Sequence, residues 1–170
     1  MTPNVTRPRS RGRVSLASPD PADPPLIDYQ WFTDADGHDE RTLLAGMRMA
    51  RRVAAQAPMA GWVAREVFPG PEVESDEQIL DWVARDAETA LHPSCTAAMG
   101  TGPMSVVDPL TMGVHGTSGL RVVDASVMPY VTNGNIYAPV MMVAEKAADI
   151  ILGNTPLPPV KAPFYRHRAG

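Results

Sequence analysis

Clusters of proline divide this chain and limit what it can fold into. The sequence contains 18 prolines and 13 glycines among 170 residues, and the prolines concentrate at Pro19 to Pro25, Pro69 to Pro71 and Pro156 to Pro163. Proline lacks the N–H that helix and sheet interiors need, and both residue types favour turns, so the clusters indicate loops. Regular structure is therefore expected between them, and residues 154–170 are expected to form an extended tail.

Four short segments carry the pattern of β-strands. Arg13 to Ala17 alternates polar and apolar residues, and Leu26 to Phe32 is rich in β-forming residues and bounded by turns. Further along, Ser105 to Val107 and Leu120 to Val123 predict two more strands, separated by glycines. The first two are expected to form the edge of a sheet that feeds a core.

Three helices are predicted. Residues 39–56 place apolar side chains on one helical face, and the sequence SDEQ at 75–78 has the form of a capping box that opens a helix over residues 76–90. The last helix starts at Ala138-Pro139 and runs almost wholly apolar to Leu152, so it is expected to be buried. The predicted fold class is α+β, an antiparallel sheet with helices on one side.

Composition excludes several classes of function. A net charge of −4 and a pI of about 5.5 argue against a nucleic-acid partner. No apolar run reaches the roughly 20 residues of a membrane span, and no secretory apolar stretch follows the N-terminal arginines, so we expect a cytoplasmic protein. The single cysteine, Cys95, excludes an intramolecular disulfide and with His92 makes only half of a zinc site, so no metal is expected.

Three further segments stand close together in the sequence. They read HPSCTAAMG at 92–100, LRVVDAS at 120–126 and NGNIYAP at 133–139. Together they resemble the C-terminal signature of the glucose-methanol-choline (GMC) flavoprotein oxidoreductases, which take a hydride from an alcohol. The resemblance covers roughly residues 4–153, and its one departure within the first segment is Cys95, where the family usually has glycine.

The resemblance implies a catalytic role for His92. In the family the corresponding histidine faces the flavin and removes the proton of the alcohol hydroxyl. Its ordinary pKa of about 6.5 suits proton transfer near neutral pH. A lone histidine without this context is more often exposed or structural.

The same resemblance implies roles for the other two segments. Asn135 would hydrogen-bond the substrate oxygen, and Asn135 and Ile136 would lie at the cofactor. Asp124 and the backbone of Ala125 would lie near the ribityl and pyrophosphate groups of FAD. Without the family context, Asn133-Gly134 would indicate a tight turn and Asp124 an ordinary turn.

One expected motif is missing. No G-x-G-x-x-G sequence occurs in the chain, so the resemblance implies that the N-terminal Rossmann domain for FAD is absent and that FAD binds only when that half is supplied. On this interpretation residues 1–118 are part of a substrate-binding or cap domain that includes His92. Residues 119–153 are a strand and helix that return to the FAD-binding domain.

The sequence is compatible with two functions. The first is the C-terminal catalytic portion of a flavin-dependent alcohol dehydrogenase or oxidase of the choline-dehydrogenase-like branch, inactive without its N-terminal half. Its partners would be a small-molecule alcohol and that FAD-binding half. The alternative is a truncated, non-catalytic module that binds a partner through the apolar surface its lost half once covered.

Overall fold

The computed structural model of the protein describes residues 3–163. Its strands are β1 (Arg13–Ser15) and β2 (Leu26–Asp28), and its helices are α1 (His38–Ala54), α2 (Ala57–Ala60), α3 (Asp76–Asp86) and α4 (Tyr137–Leu152), with one 3₁₀ turn at Ala125–Val127. The class is therefore α+β, as predicted. No helix among residues 3–163 is long and apolar enough to cross a membrane.

Helix α1 begins where polar groups satisfy its first N–H donors. Gly37 adopts the left-handed conformation (φ 61°) at the N-cap. The carboxylate of Asp34 accepts the N–H groups of His38 at 2.5 Å and Asp39 at 3.3 Å. These bonds replace the partners that the first turn of a helix lacks.

Helix α3 begins as predicted and ends earlier than predicted. Ser75 accepts the N–H of Gln78 at 3.1 Å, and the Gln78 side chain accepts the N–H of Ser75 at 2.9 Å, which completes the capping box. The helix ends at Asp86 rather than at residue 90. Beyond Val83 it buries no further side chain, and Leu91 is exposed, so no packing stabilises another turn.

The two longer N-terminal helices pack on each other through a hydrophobic cluster, called here the helical cluster. Phe32, Val73 and Val5 pack around its edge. The buried members of the helical cluster are Leu43, Leu44, Met47, Ile79 and Val83.

The sheet is smaller and more exposed than predicted. Strands β1 and β2 pair antiparallel with Val14 opposite Ile27. All residues of both strands are exposed, so the expectation that this sheet feeds a core with helices on one side is wrong for the part of the chain described. Two strands of three residues present too little apolar surface to form a core, and they need neighbouring strands for stability.

The C-terminal part packs around irregular backbone. The strands predicted at 105–107 and 120–123 do not form. Their residues make isolated bridges instead, Met99 with Val107, Val107 with Val114, and Gly113 with Arg121. Glycines and prolines interrupt the ladder. The bridges surround a second core, the C-terminal cluster, whose buried members are Val107, Met112, Val127 and Ala147.

Helix α4 leaves most of its apolar surface uncovered. It ends at Leu152, as predicted, and the C-cap Gly153 takes the left-handed conformation (φ 71°) that commonly terminates a helix. Only Ala147 is buried, while Met142 is 67% and Leu152 73% exposed. The expectation that this helix is buried is therefore wrong for the structure as described. Residues 154–163 form no helix or strand, and the rest of the predicted tail lies outside the described residues.

Candidate functional site

The segment that follows His92 is bonded to the turn that contains Asp124 and Ala125. The N–H of Cys95 donates to the carbonyl of Ala125 at 3.2 Å. Ala97 and Met99 then donate to Ser126 at 2.9 Å and Val127 at 2.8 Å. The structure thus brings together two of the three segments that the sequence singled out.

The turn itself is stabilised by its own residues. Oδ1 of Asp124 accepts the N–H of Ser126 at 2.7 Å, and Val127, which follows, is fully buried in the C-terminal cluster. The Asp124 carboxylate therefore caps a 3₁₀ turn, as an ordinary turn aspartate does. Within residues 3–163 no hydrogen bond engages the N–H of Ala125.

His92 has an unsatisfied polar atom. Its side chain is half-buried, and its Nδ1 is the single buried side-chain nitrogen or oxygen without a hydrogen-bond partner in the described part of the chain. Leaving such an atom unpaired costs about 1–3 kcal/mol, so a native example calls for an explanation. The described residues enclose Nδ1 itself, and the exposed part of this half-buried side chain lies elsewhere on the residue.

Cys95 has an unfavourable backbone conformation. Its φ is 71°, in the left-handed region that glycine occupies without penalty and other residues avoid. The thiol lies 3.3 Å from the Ser94 hydroxyl oxygen and is not in a disulfide. Glycine, which the GMC pattern has at this position, adopts such a φ without strain. This chain keeps the left-handed backbone conformation although its residue there is cysteine.

The Asn135 loop lies beside the N-terminal segment of the chain. The hydroxyl of Thr6 donates to Oδ1 of Asn133 at 2.5 Å, and Thr132 donates to the carbonyl of Gly134 at 3.1 Å. Asn135 is exposed, and among the described residues no hydrogen bond joins it to His92. Sequence reasoning missed Thr6, because a contact across 127 residues leaves no local signal.

Helix α4 starts directly after this loop. Ile136 is its N-cap and supplies no side-chain hydrogen bond, so the N–H groups of the first turn have no capping partner. Such a helix start favours a negatively charged group nearby. The sequence predicted Asn135 and Ile136 as cofactor contacts at this point.

Other polar groups of this region have structural roles or none. His115 Nε2 lies 2.9 Å from the carbonyl oxygen of Gly100, a contact between two loops. No cluster of three potential metal ligands occurs within residues 3–163. A cavity of about 360 Å³ lies against the helical cluster, between Trp31, Phe32 and Glu40, and none of the site residues lines it.

Comparison with known proteins shows the family to which the chain belongs. A profile of the GMC oxidoreductase family matches residues 8–144. An oxygen-dependent choline dehydrogenase of Staphylococcus haemolyticus (strain JCSC1435) is 54% identical over 160 residues, and one of Staphylococcus aureus (strain JH9) is 52% identical over the same length. In both cases the match covers 93% of this chain and 28% of the relative.

Two solved structures of oxidoreductases are similar in fold to this chain. Pyridoxine 4-oxidase from Mesorbium loti superposes with a TM-score of 0.77 at 33% identity, over 88% of this chain and 29% of that one. A FAD-dependent oxidoreductase from Chaetomium thermophilum gives 0.76 at 34% identity, over 87% of this chain and 25% of the other. The chain belongs to the GMC oxidoreductase family, in which it matches the C-terminal part. It spans 28% of the length of the choline dehydrogenases named above.

Proposed function

We propose that this chain is the C-terminal catalytic portion of a FAD-dependent alcohol oxidoreductase, and that it acts only together with an N-terminal FAD-binding portion. The observation that carries the proposal is the match of the GMC oxidoreductase family over residues 8–144, which include the His92 segment where the family pattern has its base. Family membership and the partial coverage of the relatives support the same conclusion.

The residues present fit a flavin. The N–H groups of Ala125, Tyr137 and Ala138 are donors without partners among the described residues, and phosphate oxygens accept such donors. We therefore propose that Ala125, Asn135 and Ile136 contact FAD. Asp124 contributes by shaping the turn that presents the N–H of Ala125, because its own carboxylate already caps that turn.

His92 and Asn135 would have different roles toward the substrate. Bound FAD supplies the acceptor for the hydride of the alcohol carbon. His92 takes the hydroxyl proton as the C–H bond breaks, so the product is a carbonyl compound and the proton remains on the imidazole. The amide of Asn135 donates to the substrate oxygen, where negative charge develops, and it does not compete for the proton.

The domain division follows from the same proposal. Residues 1–118 would belong to the substrate or cap domain, and residues 119–153 would return to the FAD-binding domain. The exposed apolar residues of α4 support this division, since an N-terminal portion would cover them. Val107 and Val127 share the C-terminal cluster, so the two parts would be joined through one packed core.

We propose an alcohol of the choline type as substrate. The support is the 52–54% identity to proteins described as oxygen-dependent choline dehydrogenases, together with asparagine at position 135. A cytoplasmic location, predicted from the sequence, belongs to the same proposal.

The test is to place this chain behind the N-terminal portion of the Staphylococcus haemolyticus relative. The product should show flavin absorbance and oxidise choline. His92→Ala should then lower turnover by about 10² or more with flavin retained, because it removes the general base. His38→Ala, in the first turn of α1, is the matched control and should leave turnover unchanged.

Two results would contradict the proposal. A protein that retains no flavin in any pairing would favour the alternative, a non-catalytic module that binds through the apolar face of α4. A flavin-loaded His92→Ala variant at the wild-type rate would remove His92 from the mechanism.

A further inference from the structure

One long-range side-chain hydrogen bond links the part of the chain that contains the helical cluster to the part that contains the C-terminal cluster. The helical cluster and the C-terminal cluster share no residue. Among the hydrogen bonds and ion pairs of residues 3–163, two link the chain before residue 90 to the chain after it: a local bond from the N–H of Leu91 to the hydroxyl oxygen of Thr89, and the long-range bond from Thr6 to Asn133. This bond ends in the loop that carries Asn135.

Thr6 lies in a segment that is fixed on both sides. On one side, Val5 packs against the helical cluster, and Pro3 approaches α1 so closely that a Cβ added at Gly46 would lie 3.0 Å from it. On the other, the N–H groups of Arg9 and Ser10 donate to the Asp39 carboxylate at 2.8 and 2.9 Å. The segment that carries Thr6 is therefore held against α1 on both sides of this residue.

The loop on the other end of the bond has little else to hold it. The bond from Thr132 to Gly134 is internal to the loop. A Cβ placed on Gly134 would meet no atom within 4 Å, so no neighbour packs against the backbone there. Asn133 and Asn135 are both exposed. Among the hydrogen bonds of residues 3–163, the bond to Thr6 is the one that links this loop to a distant segment of the chain.

We propose that Thr6 is a positioning residue that holds the Asn133-Gly134-Asn135 loop in the orientation in which Asn135 meets the substrate oxygen. This inference rests on the role of Asn135 in the proposed function. Thr6 acts through Asn133 and touches neither substrate nor cofactor. Losing one such hydrogen bond shifts the loop toward other conformations by about two- to tenfold.

The first test measures the loop without any activity. In the full chain, ¹⁵N relaxation should give rigid order parameters, near about 0.85, for the backbone N–H groups of residues 132–136. Thr6→Val, which keeps the shape and removes the donor, should lower them toward about 0.6. Thr6→Ser keeps the donor and should restore them, and Thr155→Val is the matched control outside the loop. Equal order parameters in the wild type and Thr6→Val would overturn the proposal, whatever becomes of the proposed function.

The second test uses the flavin-loaded fusion described above. Thr6→Val should lower kcat by about two- to tenfold with KM unchanged, because the bond to the substrate oxygen strengthens in the transition state. Thr6→Ser should recover the rate. In an Asn135→Ala background, Thr6→Val should have no further effect on kcat. An equal loss in both backgrounds would show that Thr6 does not act through Asn135 and would overturn the proposal.

Discussion

Asp39 is the one buried charged residue among residues 3–163, and its removal is the sharpest test of how the N-terminal segment is held. Its side chain is 2% exposed and accepts the backbone N–H groups of Arg9 and Ser10. Hydrogen bonds to a charged group contribute about 1.5–3 kcal/mol each. Asp39→Ala removes both and leaves two donors unpaired, so we expect it to lower the free energy of unfolding by about 3 kcal/mol.

The effect can be separated from a general loss of charge. Asp36 forms an ion pair with Arg9 in which both side chains are more than half exposed. Exposed pairs contribute less than about 1 kcal/mol, so Asp36→Ala is the matched control. Urea unfolding followed by circular dichroism measures both variants. An Asp39→Ala variant within about 0.5 kcal/mol of Asp36→Ala would refute the reasoning.

The pH dependence has a defined sign. Burial raises the pKa of Asp39, but the N–H groups of Arg9 and Ser10 and the Ser10 hydroxyl outweigh it, so the pKa lies below its ordinary value of 3.8. The ionised carboxylate therefore stabilises the fold at pH values above 3.8, and this contribution is lost as the pH falls through the lowered pKa. Asp39→Asn has no carboxylate at this position, so its free energy of unfolding should not show this loss as the pH falls. Parallel stability curves for wild type and Asp39→Asn below pH 4 would contradict the assignment.

Two more changes test local backbone chemistry. Cys95→Gly should raise the free energy of unfolding by about 1 kcal/mol, because it removes the left-handed strain at φ 71°, and a destabilised variant in the same urea assay would contradict this. Ser75→Ala should cost about 1 kcal/mol through loss of the α3 capping box, whereas Ser118→Ala, at an exposed position, should leave the unfolding midpoint in place.

The local elements of this fold were predictable where local chemistry decides them. The capping box at Ser75 and the end of α4 at Leu152 each depend on residues close by in the chain, so their positions could be predicted from the sequence. The end of α3 and the exposure of β1 and β2 depend on neighbours that sequence patterns do not contain. The predicted strands at 105–107 and 120–123 failed for a related reason, since glycines and prolines divide them into isolated bridges.

For the candidate site, the sequence by itself determined which segments belong to it. The segments with His92, Asp124 and Asn135 have a pattern of residue types that the GMC family shares. Only the tertiary structure decided how they are arranged. In the folded chain, residues 95–99 are hydrogen-bonded to the turn at 125–127, and Nδ1 of His92 is buried without a partner. The Asn135 loop is hydrogen-bonded to Thr6. Residue types follow from the chemistry each position needs, whereas such contacts depend on how distant parts of the chain pack.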